Sequence, residues 1–415
     1  MIEIGKPYVT KENGFAYLRA HIRISDDTVE AYRKVAGKLK SSMWVTDIDY
    51  PPAYWSMEDS NLYFKVSDRY EAYLCSQRSN AFVAALLWYA LVTGSDIRFI
   101  EPLSEKLKQG ITENLLPALA EKGFSSINLL GPVTNAPVEN AGGIVTGMSC
   151  GVDSFYTLHH NPVNYLSFYS GNCILPHTDH IPDVDVFFNE RERTYAEYLS
   201  NAKIIAEHHD IPLVAVSTNM DRDYYRGGYT YSAMYRHSAC TLSLEHLFAT
   251  YISSSSGHRE HNTDVNLLGP TQNYEDLLCE SLQTETFKYM TSDHELRVNK
   301  IRAIADDKDF QQYAEVCFNQ GVGRKNCGEC FGCWKTMIPL DLIGKLDQFG
   351  NSFNLEKYYA NREKTFADLI RFSKLPEAFS ARDTVAQIKK LAEEEPSEAG
   401  KLFLNLWGLS CSEGT

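Results

Sequence analysis

The sequence predicts an α/β protein built on a doubly wound parallel sheet, with an N-terminal α+β domain and a helical C-terminal tail. From about residue 140, short apolar runs alternate with longer helical patterns, as is typical of parallel sheets. Residues 142–158 show the transition best, because an apolar run breaks into small residues and resumes as a helical pattern. At 415 residues the chain has room for two or three domains. We expect boundaries at 1–137, 138–340 and 341–415.

The net charge and the apolar runs limit which partners and which location the protein can have. The net charge of −14 disfavours broad contact with phosphate backbones, so nucleic acid is a poor candidate partner unless a local basic patch exists. The first six residues lack the layout of a secretion signal, and the longest apolar run, 81–92, is too short to cross a bilayer. We therefore expect a soluble, cytoplasmic protein that does not bind membranes.

The first region reads as mixed α/β. Residues 15–24 alternate between apolar and polar, which predicts a half-buried strand, and 62–66 predicts a second strand. Helical patterns follow at 81–92 with Gly94 as a stop, at 103–109 with Gly110 as a stop, and from a cap at Asn114 to about Gly123. This region contains no recognisable catalytic spacing, so we interpret it as a scaffold or substrate-specificity domain.

The second region alternates strands with helices. Strands are predicted at 144–146, 163–169 and 212–216, and helices at 191–208 and 238–251. Ligands of such sheets bind beyond the carboxyl ends of the strands, where the loop 149–154 is expected. The final region is mostly helical, with prolines as breaks at Pro376 and Pro396.

The loop reads Ser-Cys-Gly-Val-Asp-Ser between a strand and a helix. Backbone N–H groups and two hydroxyls at a helix N-terminus favour anion binding. A Walker A loop is excluded because the Gly-Lys-Ser/Thr ending is absent. The loop resembles the PP-loop of the ATP pyrophosphatase superfamily, whose pattern is Ser-Gly-Gly-x-Asp-Ser. The resemblance implies that ATP and Mg²⁺ are bound by six residues: Ser149, Cys150, Gly151, Val152, Asp153 and Ser154.

Cys150 departs from the glycine that the superfamily has at this position. It is either a small loop residue or a reactive thiol, since a helix N-terminus lowers the pKa of a thiol. In the superfamily the loop holds the β- and γ-phosphates, leaving the α-phosphate open to attack. The expected products are an adenylated substrate and pyrophosphate.

A second constellation consists of four cysteines, with nine residues between the first two and two between each later pair: Cys317, Cys327, Cys330 and Cys333. Four thiolates at these spacings suit tetrahedral Zn²⁺, and four protein ligands leave no position for a reacting water, which predicts a structural site. An iron–sulfur cluster and four unconnected buried cysteines are the alternatives.

The loop and the cysteines together resemble 7-cyano-7-deazaguanine synthase, over about residues 140–340. That family uses ATP to turn a carboxylate into an amide and then a nitrile, its zinc is structural, and its sheet is of the PP-loop or HUP type. Residues 295–302 are similar to its lysine-bearing stretch, with Lys300 at the lysine and Arg302 where glutamate is expected. The regions outside the match indicate a divergent relative with a different acceptor.

Arg297 and Lys300 are three residues apart, so they share one face if the stretch is helical. They either bind phosphates or a substrate carboxylate, or belong to a solvated charged face. With Asp153, which would position the loop or the metal, they are the candidate catalytic residues.

Two weaker candidates remain. Glu275 or Asp276, in residues 269–276, either binds Mg²⁺ or belongs to a plain surface loop. The second candidate is a group of four residues, Cys173, His177, Asp179 and His180. It is either another metal site or an ordinary loop.

The leading hypothesis is therefore an ATP-dependent ligase or synthase. The carboxylate or carbonyl oxygen of a small-molecule or protein acceptor attacks the α-phosphorus, and ammonia or an amine then displaces AMP. One alternative is sulfur transfer, which requires an essential cysteine such as Cys150 or Cys173. Another is a nucleotide-binding protein that engages a protein partner without turnover. The sequence leaves a homodimer open.

Overall fold

The computed structural model describes residues 1–39, 60–169, 184–220, 224, 229–255, 264–317, 326–375 and 379–412. Its strands, β1 to β13 in chain order, are Ile2–Ile4, Tyr8–Glu12, Phe15–Ile24, Ser60–Ser67, Ile97–Phe99, Leu103–Ser104, Leu129–Leu130, Val133–Thr134, Gly143–Gly147, Tyr165–Tyr169, Leu213–Thr218, Phe248–Ser253 and Lys288–Thr291.

The α-helices are numbered in the same way. α1 to α15 are Asp26–Leu39, Asn80–Thr93, Glu105–Gln109, Leu116–Glu121, Val152–His160, Val184–His208, Tyr229–Leu242, Glu275–Ser281, Arg297–Ile304, Lys308–Tyr313, Phe331–Leu342, Leu355–Ala360, Arg362–Ser373, Phe379–Glu394 and Glu398–Ser412. None of the helices in the described ranges is long and apolar enough to cross a membrane.

Eleven strands of the described chain form one sheet in the order β13-β12-β9-β10-β11-β4-β3-β1-β5-β7, with β2 paired to β3. The first five strands of this order are parallel to one another. β11 then pairs antiparallel with β4, so the N-terminal strands continue the same sheet. The protein is thus α/β with a large, mostly parallel sheet, which is compatible with doubly wound topology. The domain boundaries at 137 and 340 stay predictions.

The predicted strand at 15–24 coincides with β3, in which buried and more exposed residues alternate. The helix predicted over 81–92 is α2, and it is buried on all sides rather than amphipathic. Gly94 ends it in the left-handed conformation, with φ of 63°. The run 81–92 has no polar face because the helix is enclosed by the N-terminal strands and α7.

Three predicted helices are wrong in part. The helix expected over 238–251 ends with α7 at Leu242, and Phe248–Ser253 is strand β12, which lies between β9 and β13. The apolar stretch before Ser253 is too short for its periodicity to separate strand from helix. Its aromatic and β-branched residues follow strand preference instead.

Gly110 does not end a helix. Leu103–Ser104 is strand β6, the Ser104 hydroxyl caps α3 by accepting from Leu107 N (3.0 Å), and the chain stays helical through a π-helical turn at Gly110–Leu115 into α4. Asn114 therefore lies inside this helical segment and caps nothing. Glycine stands at 110 because a Cβ there would collide with the backbone of Ser281.

Two hydrophobic cores position the candidate residues. One lies among the N-terminal strands, α2 and α7. The other contains Phe155 of α5, Ile301 of α9 and Met337 of α11, together with apolar residues of α13, α14 and α15. The helical residues after 341 therefore pack on the same core as the helices that carry Asp153 and Lys300.

Candidate functional site

The candidate loop lies at the point where the strand order reverses. From β9 the chain continues to β10 on one side, whereas from β12 it continues to β13 on the other, and β9 and β12 are parallel neighbours. The carboxyl ends of two such strands border a crevice, which is the usual ligand site of an open α/β sheet. The loop after β9 and Ser255 after β12 flank this crevice.

The loop closes on itself at the N-terminus of α5. Ser149 N donates to Ser154 Oγ over 3.2 Å, and the two hydroxyl oxygens are 2.8 Å apart. Gly151 immediately precedes α5 and accepts from Phe155 N over 3.1 Å. The positive end of the helix dipole and two hydroxyls therefore meet in one loop, as the sequence predicts.

Cys150 adopts a φ of 59°, in the left-handed region that favours glycine. Its side chain is fully buried in the core that also contains Phe155. Its carbonyl accepts from Glu315 N over 2.8 Å, which fixes the turn. A buried thiol cannot meet a substrate in the crevice, so the geometry favours the interpretation of Cys150 as a small loop residue.

Asp153 lies in the first turn of α5 and faces two cations. Arg297 Nη1 donates to its Oδ2 over 2.6 Å, and Lys300 Nζ to its Oδ1 over 3.3 Å. Burial opposes the charge of Asp153, but Arg297, Lys300 and the nearby Lys335 outweigh it and lower the pKa of the carboxyl. The sequence-predicted loop, Arg297 and Lys300 are thus brought together, and α9 does present both cations on one face.

Arg297 has one N–H donor that no group in the described part of the chain accepts. Its Nη2 lies 3.4 Å from Thr336 Oγ1 on α11, whereas its Nε is buried without a hydrogen-bond partner among the described residues. A buried guanidinium donor left unpaired is costly, and an anionic ligand is a group that would satisfy it.

Lys335 is a candidate residue that sequence reasoning missed. It lies on α11, where burial and the Arg297 guanidinium lower its pKa to about 7. Asp153 acts on it in the opposite direction. One feature of the sequence could have identified Lys335 as a candidate. It lies two residues after Cys333, at the start of a helix that the cysteine cluster anchors.

A second group adjoins Lys300, and of its members the sequence singles out only Glu275 and Asp276. Lys300 Nζ donates to the carbonyl of Ser255, and Ser255 Oγ donates to Glu275 Oε1. Ser255 Oγ is also 3.2 Å from His294 Nδ1, and His294 Nε2 is 3.1 Å from Asp276 Oδ1. These polar side chains come from the ends of β12 and β13 and from the start of α8, so only the sheet order brings them together.

Glu275 is almost fully buried, at 2% exposure, and burial raises the pKa of its carboxyl to about 7. The stretch 269–276 is therefore not a plain surface loop: it forms a short 3₁₀ helix and the start of α8. A buried carboxyl that holds its proton is a poor ligand for Mg²⁺, whereas Asp276 is partly exposed.

The four cysteine sulfurs converge. Cys330 Sγ lies 3.6 Å from Cys333 Sγ and 3.9 Å from Cys317 Sγ, and Cys327 Sγ lies 3.9 Å from Cys333 Sγ. All four fall within 4.8 Å of one another. A tetrahedron with metal–sulfur bonds of about 2.3 Å has sulfur–sulfur edges of about 3.8 Å. The cluster can therefore hold a metal ion such as Zn²⁺.

The backbone around the cluster supports this geometry. Asn326 Oδ1 accepts from Cys317 N over 2.9 Å, and Cys327 N donates to Cys317 Sγ over 3.3 Å. Gly328 takes the tight turn with a φ of 74°. Hydrogen bonds among the thiols lower the pKa of Cys327 and raise the pKa of Cys317 and Cys333, because sulfurs packed this closely share their protons.

Arg302, which departs from the family pattern, points away from the crevice. It contacts Glu394 Oε2 at 3.3 Å and Glu395 Oε1 at 3.2 Å, at the end of α14. Arginine at position 302, where the family has glutamate, therefore pairs with a C-terminal helix that lies outside the region of resemblance.

The candidate group of Cys173, His177, Asp179 and His180 lies outside the described residues, as does the predicted helix break at Pro376. Comparisons with protein-family models, with curated proteins and with solved structures give no match. Evidence on function therefore comes from the residues of the site themselves.

Proposed function

We propose that the protein is an ATP-dependent enzyme that adenylates a substrate and releases pyrophosphate. The observation that carries this proposal is the Nε of Arg297, which is buried beside the closed loop and has no hydrogen-bond partner among the residues that the structure describes. That donor, the helix N-terminus and the neighbouring lysines form a preorganised anion site in a crevice.

The residues divide the work as follows. Loop N–H groups with the Ser149 and Ser154 hydroxyls would donate to the β- and γ-phosphates. Arg297 and Lys300 would stabilise the charge that accumulates on the departing pyrophosphate. Asp153 holds both cations in position through its two oxygens. Mg²⁺, when bound with the nucleotide, supplies further charge neutralisation.

The reaction proposed is attack of a carboxylate or carbonyl oxygen on the α-phosphorus, followed by displacement of AMP by ammonia or an amine. It follows from the resemblance to the PP-loop superfamily and to 7-cyano-7-deazaguanine synthase. A structural link supports it: α11 carries Cys333 of the cluster, and also Lys335 and Thr336, which face Arg297.

We propose that the cysteine cluster holds structural Zn²⁺. Four sulfur ligands leave no open coordination position for substrate or water. The bound ion would fix the start of α11 and thereby the position of Lys335 and Thr336 against the crevice.

Sulfur transfer is less well supported. It requires an accessible, reactive cysteine, and the complete burial of Cys150 argues against that role. Cys173, the other candidate, lies outside the described residues.

The test is to incubate the protein with ATP, Mg²⁺ and a panel of carboxylates that includes a 7-deazaguanine carboxylate, and to follow the phosphorus products by NMR. AMP and pyrophosphate are expected, and Asp153→Asn should abolish them. Asp368→Asn is the matched control, because Asp368 pairs with Lys364 and Arg371 on α13, away from the crevice. ADP with phosphate would contradict the mechanism, and binding without any product would favour the non-catalytic alternative.

A further inference from the structure

A second set of metal-binding side chains converges at the end of α5 remote from the loop. His159 lies in the last turn of α5, His209 directly follows α6, and Asp307 directly precedes α10. Each offers one ligand atom, and the three atoms lie within 4.8 Å of one another. The group therefore joins three helices that are separate in sequence.

The donors are already held close together. His159 Nε2 is 2.8 Å from Asp307 Oδ2, and the rings of His159 and His209 have centroids 5.5 Å apart at an angle of 67°. The rings thus meet edge to face, and one ligand nitrogen of each ring lies within 4.8 Å of the other and of the Asp307 carboxylate. The side chains of His159, His209 and Asp307 are 33%, 25% and 15% exposed, so the two later donors are half-buried while His159 lies at the surface.

Neighbouring groups orient these donors. Asp307 Oδ1 accepts from Phe310 N over 2.5 Å, which fixes the carboxylate as the cap of α10. Asp309 Oδ2 lies 3.5 Å from His209 Nε2, and its Oδ1 lies 2.7 Å from His208 Nδ1. A carboxylate behind a ligating imidazole is the usual arrangement that sets ring orientation at a metal site.

We propose that His159, His209 and Asp307 bind a divalent transition metal of the Zn²⁺ type, at a site separate from the four cysteines. Two imidazoles and one carboxylate are a donor set that such ions favour, and a water completes the tetrahedron. Bonds of about 2.0 Å require ligand edges of about 3.3 Å, so His159 and Asp307 need to separate by only about 0.5 Å. The ion takes the place of the proton between them, which leaves to solvent.

The site has a structural consequence for the loop. α5 runs from the loop that contains Asp153 to His159, a rise of about 9 Å. A bound ion would tie the far end of α5 to α6 and α10. It would therefore restrain the helix whose N-terminus forms the proposed phosphate site, although the metal proposal itself does not depend on that function.

The first test uses Co²⁺ as the probe, added to metal-free full-length protein. Thiolate ligands give an intense near-ultraviolet charge-transfer band, whereas imidazole and carboxylate ligands do not, so the two sites are read separately. We expect two equivalents per chain for the wild type and one for His209→Ala, with the thiolate band unchanged. His160→Ala is the matched control and should keep two equivalents, because its Nδ1 lies 2.9 Å from Tyr156 O, outside the group.

The second test measures thermal unfolding with added Zn²⁺ after the cysteine cluster is loaded. Zn²⁺ at a hundredfold excess over the dissociation constant should raise the folding constant of the wild type about a hundredfold, and that of His209→Ala not at all. Asp307→Asn provides a second variant, because asparagine keeps the helix cap. A single equivalent in the wild type would overturn the proposal, as would a second equivalent that survives in both His209→Ala and Asp307→Asn.

Discussion

Arg297 Nη1 donates to Asp153 Oδ2 over 2.6 Å, and this ion pair joins the first residue of α9 to the first turn of α5. The two residues are separated by 143 others in the sequence, yet their side chains meet beyond the carboxyl ends of β9 and β12. Their side chains are 13% and 19% exposed, so the pair is largely shielded from water. The ion pair therefore holds α5 against α9 and also keeps the positive charge of Arg297 at the proposed phosphate site.

Replacing Arg297 by glutamine should affect stability and nucleotide binding together. Removal of one partner leaves the buried carboxylate of Asp153 with Lys300 as its remaining direct partner, so we expect the free energy of unfolding to fall by about 2 kcal/mol. ATP affinity should fall at least about tenfold, because a donor to the phosphates is lost. Urea unfolding and calorimetric titration with ATP measure the two effects.

The control for Arg297→Gln is Arg371→Gln. Arg371 is 81% exposed and pairs with Asp368 on the same helix, so its loss should change the unfolding free energy by less than about 0.5 kcal/mol. Equal effects of the two substitutions would show that the buried pair has no special role.

The buried carboxyl of Glu275 should make the free energy of unfolding depend on pH. Burial raises the pKa of its carboxyl to about 7, and Ser255 and Lys300 oppose this rise while Asp276 and Asp153 reinforce it. Between the unfolded pKa of about 4.3 and pH 7, the folded state holds the proton more firmly than the unfolded state does. The contribution of Glu275 to the free energy of unfolding is therefore fully present below about pH 4. It falls by roughly 3 kcal/mol as the pH rises to 7.

Glu275→Gln mimics the protonated carboxyl and should flatten the profile between pH 4.5 and 7. Glu280→Gln on the same helix is the control, because Glu280 is exposed. Urea unfolding at several pH values measures the slope. A wild-type slope retained in Glu275→Gln would assign the pH dependence to other groups.

The sequence is informative wherever a local pattern decides the structure. The alternation in 15–24, the strand–loop–helix at 143–158 and the cysteine spacing each predict a local geometry that the structure contains. The group of Ser255, Glu275 and His294 could not be predicted, because its members come together only through the order of β9, β12 and β13. The pattern over 238–251 predicts helix where β12 lies, because the apolar run of β12 is too short for its periodicity to separate strand from helix.

Gly110 illustrates the same limit at one residue. As a local signal it predicts a helix end, whereas its actual role is to let the π-helical turn approach the backbone of Ser281. Gly110→Ala should therefore destabilise the protein by about 2 kcal/mol through overpacking. Gly408→Ala, in α15 with open space around the added Cβ, should be neutral or stabilising by up to about 1 kcal/mol. Thermal unfolding of both variants measures the contrast, and equal melting temperatures would contradict the close approach.

Removal of metal from the cysteine cluster should loosen the proposed ATP site as well as the fold. α11 begins at Phe331, directly after Cys330, and carries Thr336, whose Oγ1 contacts Arg297. We expect chelation to lower the melting temperature by on the order of 10 °C, corresponding to a loss of a few kcal/mol. ATP affinity should fall in parallel, and Zn²⁺ should restore both.

Cys327→Ser should reproduce the effect of chelation and resist rescue by Zn²⁺. Glu329→Gln is the matched control, because Glu329 lies between two of the cysteines yet is exposed and pairs with Lys357. It should keep its metal and melt within about 2 °C of the wild type. A metal-free protein that melts and binds ATP like the loaded one would show that the cluster does not position α11, because the ordering of Lys335 and Thr336 would then be independent of the cysteines.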